Sequence, residues 1–167
     1  MKKIISAFAL LLLACGWAWS NIRYLPDCDR QTFSDTIAIS IDNETIVFPS
    51  DTSTWTTGVT ISNKSLYIFG QGYNKTLIRD STPVAWNGAL LFLYPDTLDF
   101  VRIAGIHFQN ARASEVGEGI IHFRSHCRFR VDHCRFQSSI HSTAVQPYAR
   151  GAFGVIDKCR FDTMRND

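Results

Sequence analysis

The chain has little of three things. After its first twenty residues it holds no apolar run that could cross a bilayer, which needs roughly 20 residues. It has no Cys-x-x-Cys pair of the kind that holds structural zinc, and beyond one short stretch near its start it has no amphipathic helix of useful length. These absences argue against a membrane-spanning protein and a zinc-held domain, and they exclude helical repeat architectures. Charge is not in excess either: the 167 residues carry a formal net charge of +2. That near-neutrality leaves no expectation of a nucleic-acid partner.

Lys2 and Lys3 precede the apolar run 4–14, which breaks at Cys15 and Gly16. That order of a basic start, a short apolar run and small residues reads as a secretory signal. Two ways of processing it stay open. Ala18-Trp19-Ser20 offers a conventional cleavage site, making 1–20 the signal and Asn21 the mature start. Leu12-Leu13-Ala14-Cys15 instead resembles a lipobox, with 1–14 removed and Cys15 lipidated. The expectation is a bacterial protein that is secreted or held at the cell surface, touching a membrane through nothing but a lipid on Cys15. About 147 residues remain, the length of one domain.

Within that domain charge is uneven, with five Lys/Arg against nine Asp/Glu over residues 21–99 and ten against six over 100–167. Nine of those ten cations are arginine, whose planar fork suits carboxylate or phosphate. A solvated surface of mixed charge accounts for the same counts.

Internal similarity fixes the architecture. Val131-Asp-His-Cys-Arg-Phe136 returns 25 residues later as Ile156-Asp-Lys-Cys-Arg-Phe161, and a less similar copy, Ile103-Ala-Gly-Ile-His-Phe108, lies 28 residues earlier. Leu66-Tyr-Ile-Phe-Gly70 reads as an older copy still. A second series, 89–93, 119–123 and 143–147, runs between them at intervals of 30 and 24. Periods of this length made of short strands and Gly, Ser, Asn and Asp turns predict a right-handed parallel β-helix, an all-β solenoid. Stacking the copies gives three inward columns: Ile103, Val131 and Ile156; Ile106, Cys134 and Cys159; Phe108, Phe136 and Phe161. Gly105, His133 and Lys158 fall at a corner. Side chains stacked on parallel strands point the same way, which strains a disulfide, so Cys134 and Cys159 read as buried thiols. Phe33, Ile37 and Ile41 recur on one face of a short helix within 29–41, a cap for the exposed first coil. The division is therefore 21–44 as an N-terminal segment with that helix and 45–167 as coils. The last copy runs into 161–167 without a closing strand, so the solenoid is expected to be truncated at its C-terminus.

The order of short helix, Thr45-Ile-Val-Phe-Pro49, Ile68-Phe-Gly70-Gln-Gly72 and Thr76-Leu-Ile78 resembles the opening of the pectin-lyase-like β-helix superfamily. The likeness covers most of 29–167. Val131-Asp-His-Cys134 is also similar to the V-W-I-D-H-C stretch of pectate lyases, without its tryptophan, and the downstream calcium-holding aspartates of that family have no clear equivalents. The polygalacturonase and pectin methylesterase signatures are absent. The resemblance implies the coil and leaves the chemistry open.

Alternation sends Arg102, Arg130, Asp132 and Asp157 outward, with His107, Arg135 and Arg160 beyond the corner. A lyase acting on uronic-acid polymers needs a carboxylate neutralised and a C5 proton removed. Asp132 with Asp157 would be the ligands of a Ca2+ ion, His133 or Lys158 the base, and Arg102, Arg130, Arg135 and Arg160 the grip on an acidic extracellular polysaccharide. Cross-strand ion pairs explain the same residues with no ligand. Aspartates at strand spacing suit an inverting hydrolase poorly. Trp55 and Trp86 could stack on sugars or cover the core edge, and His107, His122, His126 and His141 read as surface and turn residues. Two functions stand: a polysaccharide lyase or hydrolase, and a non-catalytic adhesin or glycan-binding protein.

Overall fold

A computed structural model describes residues 21–83, 88–96, 99–110, 119–124, 127–138, 143–148 and 152–163. The chain opens with β1 (Ile22–Tyr24) and α1 (Arg30–Ile39), then passes through three sheets in rotation. The first coil is β2 (Glu44–Val47), β3 (Thr52–Trp55) and β4 (Val59–Ser62), and the second is β5 (Leu66–Phe69), β6 (Leu77–Asp80) and β7 (Leu91–Tyr94). Then come β8 (Phe100–Ala104), β9 (His107–Asn110) and β10 (Ile121–Phe123), followed by β11 (Arg128–Asp132), β12 (Arg135–Ser138) and β13 (Val145–Pro147). The last described strands are β14 (Phe153–Asp157) and β15 (Arg160–Thr163). The sheets run β1-β2-β5-β8-β11-β14, β3-β6-β9-β12-β15 and β4-β7-β10-β13, and every pairing is parallel. This is a parallel β-helix.

The register is the one the repeats imply. Val131 pairs with Ile103 on one side and Ile156 on the other, and Phe136 with Phe108 and Phe161. Parallel strands in register hold like side chains one above another, at a spacing of roughly 4.8 Å. Phe108, Phe136 and Phe161 therefore stack nearly flat, with ring centroids 5.5 and 5.3 Å apart and planes 16° and 12° from parallel. Ile46, Ile68, Ile103 and Val131 form a fully buried aliphatic column beside them. Ile156 and Phe161 continue these columns on β14 and β15 but are exposed.

Between the first and second sheets the chain turns on one residue with positive φ: Gly105 (71°), His133 (53°) and Lys158 (52°). This left-handed conformation breaks the strict alternation, so that residues three apart, such as Val131 and Cys134, both face inward and are fully buried. The peptide N–H of Gly105 donates to the carbonyl of Asp132, and that of His133 to the carbonyl of Asp157, each at 3.3 Å. A left-handed residue is easiest for glycine and next for asparagine. Asn43 and Asn63, which the sequence marks as the first residues of N-x-S/T triplets, hold the same conformation at φ 63° and 52°.

The open first coil is closed by α1. Asp29 caps it, accepting from the Gln31 N–H at 2.7 Å, and Lys64 Nζ donates to the carbonyl of Ile37 at 2.6 Å in its last turn. Phe33 packs 4.8 Å from Phe48 and 5.6 Å from Trp55. The helix is shorter than the expected 29–41: it ends at Ile39, and Ile41 is exposed where the heptad-like spacing had placed it inward. β1, which the sequence did not signal, adds a further parallel strand outside β2. Of the two roles open to Trp55, the structure gives the core: it ends β3, fully buried with its indole N–H donating to the Cys28 carbonyl at 2.9 Å, and offers no surface for a sugar. Trp86 lies outside the described residues.

Phe136 sits at the centre of the aromatic column, so Phe136→Ala is expected to lower the stability of the folded chain by about 3–5 kcal/mol. The shift of the urea unfolding midpoint measures it.

Candidate functional site

The residues singled out in the sequence come together on the outer side of the first sheet and around its corner. Arg102 and Arg130 are register partners on β8 and β11, so their like charges stack at strand spacing. Each is neutralised diagonally, by an aspartate one coil on and two residues further along. Arg102 Nε and Nη2 donate to the two carboxylate oxygens of Asp132, both at 2.8 Å. Arg130 grips Asp157 in the same side-on way at 3.1 and 2.9 Å. The motif recurs past the corner, where Arg135 Nε lies 2.6 Å from Asp162, whose other oxygen accepts from Arg160 Nε at 2.8 Å. These are bidentate or shared charge-assisted bonds, the strong class of hydrogen bond. Ala104 stands where an acceptor would precede Asp132, and Val155 where a donor would follow Arg130.

Asp132 does not stand on an exposed ribbon, as alternation alone suggests: its side chain is fully buried under Arg102, Arg130 and the corner residue. His133 Nδ1 lies 2.8 Å from its Oδ2, and Arg130 Nε 3.6 Å from its Oδ1. The Arg102 hydrogen bonds, with help from His133 and Arg130 and against the cost of burial, pull the Asp132 carboxyl down to about 2. Both oxygens of Asp132 and of Asp157 are thus taken by arginine, and guanidinium charges surround them. A calcium ion does not fit this pair, since it would need those oxygens as ligands and would meet the same cations. Among the described residues no group of three or more His, Cys, Asp or Glu side chains could hold a metal.

The base candidates fare differently. His133 is half exposed, and the buried Asp132 carboxylate meets its ring at Nδ1. Lys158 holds the equivalent corner one coil on and is exposed. The four arginines are engaged with Asp132, Asp157 and Asp162, although the Arg160 side chain is 63% exposed and those of Arg102 and Arg130 about a third. Of the histidines read as surface residues, His107 and His122 are buried, and His126 and His141 lie outside the described residues, as does Cys15. Burial holds the His107 imidazole below its usual range, and the nearby Arg135 charge pushes the same way.

Two aromatic surfaces escaped the sequence reading. On the first sheet, Asn43, Thr45, Tyr67 and Phe69 line an open depression. Phe69 lies under the Arg102 guanidinium, 5.3 Å from its ring centroid, and Tyr67 meets Phe100 at 6.0 Å. The signal was alternation within Leu66–Phe69, whose second and fourth residues must face out once Leu66 and Ile68 are core. On the third sheet, His122 lies between Phe92 (6.0 Å) and Tyr148 (5.6 Å), while Arg124 covers the rings of Phe92 and Tyr94.

Asp132 links pH to stability with a definite sign. Its folded pKa of about 2 lies below the ordinary 3.8, so it stabilises the fold above pH 4 and the contribution is lost as pH falls through 2. The shift corresponds to about 2 kcal/mol. Asp132→Asn is expected to cost about 3 kcal/mol at neutral pH, because it strands the Arg102 charge, and to flatten the acid limb of stability. Urea titrations at pH 7 and from pH 5 to 2 test both.

No family model, no curated protein and no solved structure matches the chain.

Proposed function

We propose that this chain is an exported, pectin-lyase-like β-helix protein that binds an acidic extracellular polysaccharide along the outer face of its first sheet. One observation carries the reading: the open depression lined by Tyr67 and Phe69 adjoins Arg102 and, one coil on, Arg130. Aromatic faces accept sugar rings, Asn43 offers a polar edge for hydroxyls, and the partly exposed guanidiniums of Arg102 and Arg130, which use Nε and Nη2 on aspartates, have Nη1 left to donate to uronate carboxylates. A β-helix repeats its outer face at every coil, which suits a long polymer with a repeat of its own. Export rests on the basic, apolar and small-residue order of the first twenty residues.

The ion-pair ladder favours recognition over chemistry. Arg102 holds the buried Asp132 carboxyl ionised, so it cannot supply an acid. One geometric fact favours a second reading, a lyase: a buried carboxylate orients the half-exposed His133 as a general base would be oriented. Such a base would take the C5 proton while Arg102 and Arg130 faced the uronate.

Binding is measured by affinity electrophoresis or calorimetry with a uronic-acid polymer and a neutral glucan. The wild-type chain is expected to bind the acidic polymer selectively, and Tyr67→Ala with Phe69→Ala to weaken it at least tenfold. Equal affinity for the neutral glucan, or no loss in the double variant, refutes the binding face. Release of unsaturated products, seen as ultraviolet absorbance and abolished in His133→Ala, would establish the lyase; no absorbance and no new reducing ends leave binding alone.

A further inference from the structure

We propose that Cys159 and Cys134 form a reversible dithiol–disulfide pair, in which Cys159 reacts first with a small-molecule disulfide and Cys134 resolves the adduct. The two cysteines follow the left-handed corner residues Lys158 and His133. Register is unbroken on both sides of them, from Asp132 with Asp157 to Arg135 with Arg160, so they stack in adjacent coils. The Cys134 and Cys159 thiols are neighbours in that stack, and each donates to a carbonyl one coil back, of Ile103 at 3.8 Å and Val131 at 3.5 Å. Strands roughly 4.8 Å apart lie within the Cα separations of about 4.4–6.8 Å that disulfides span. Side chains that point the same way strain such a bond, and strained disulfides are the readily reduced ones. The bridge is therefore a reversible modification and no permanent staple.

Selectivity follows from burial. All four described cysteines are free thiols; Cys28, Cys127 and Cys134 are buried, and Cys159 alone among them is partly exposed. Burial pushes the Cys28 thiol up to about 12 and the Cys127 thiol up to about 11, both unreactive. The neighbouring Cys134 thiol holds Cys159 below its usual range, and the neighbouring Cys159 together with burial pushes Cys134 up, as expected of a resolving thiol that waits for an adduct. With oxidised glutathione, the Cys159 thiolate attacks one sulfur and expels a glutathione thiolate. Cys134 then attacks the Cys159 sulfur of the mixed disulfide and expels the second, its proton leaving with that thiolate. Two protein thiols and one disulfide become one protein disulfide and two glutathione thiols.

The folded, fully reduced chain is incubated with oxidised glutathione and read by intact mass and peptide mapping. The wild type is expected to lose two hydrogens, retain no glutathione and yield a Cys134–Cys159 linked peptide that dithiothreitol releases. Cys134→Ser, which keeps a hydroxyl for the Ile103 carbonyl, is expected to hold one glutathione on Cys159, and Cys159→Ser none. Circular dichroism confirms that each variant is folded, and the wild-type linkage map stands without them. An unreactive wild type, adducts on Cys28 or Cys127, or glutathione retained on wild-type Cys159 without a bridge overturns the proposal.

Discussion

Parallel strands stacked in register bring every side chain to roughly 4.8 Å from its counterpart in the next coil, and the rest of this structure is an answer to that spacing. Apolar residues satisfy it simply: Phe108, Phe136 and Phe161 lie flat on one another, and isoleucine follows isoleucine in the column beside them. Charged residues cannot stack on themselves without repulsion. Arg102 over Arg130 is tolerated because each arginine reaches diagonally to an aspartate of the following coil, turning a column of like charge into a ladder of neutral pairs.

The same spacing separates what the sequence revealed from what it hid. Near-identity of 131–136 and 156–161 gave the register, since a one-residue slip would exchange core and surface faces on every strand. Alternation then named the residues that leave the core. It could not say which of them stay wet. Asp132 leaves the core face but is covered by Arg102 and Arg130, because a long side chain reaches across a strand and a short one does not. His107 and His122 were hidden for the same reason, being buried on faces whose alternation reads as outward. β1 was illegible because three residues carry no periodicity, and pairing with β2 alone defines it. The Tyr67 and Phe69 surface was implicit in Leu66–Phe69 but needed the depression beside it to acquire meaning.

The corner residue joins core and surface. His133 is left-handed, and that geometry buries Cys134 behind it while holding the imidazole against the Asp132 carboxylate in front. One backbone conformation thus sets the thiol stack on the inside and the orientation of a histidine on the outside. A residue that serves both cannot be exchanged for its effect on either alone, and substitutions at this corner will move stability and surface chemistry together.

The ladder of arginine and aspartate has a direction. On the first sheet the arginine of each side-on pair belongs to the earlier coil and the aspartate to the later, with Ala104 at the acceptor position of the first of these coils and Val155 at the donor position of the last, so neither charge is left over there. The coil of β11 carries both halves, an acceptor for the coil behind and a donor for the coil ahead. On the first sheet, tandem copies of that coil would strand no charge, whereas copying β8 or β14 would leave an arginine or an aspartate unmatched; past the corner, each added copy would set an Arg135 diagonally opposite Gln137 in place of Asp162. Duplication of this coil is therefore electrostatically neutral on one sheet and costly on the next, where an acidic residue at the position of Gln137 would have to accompany it.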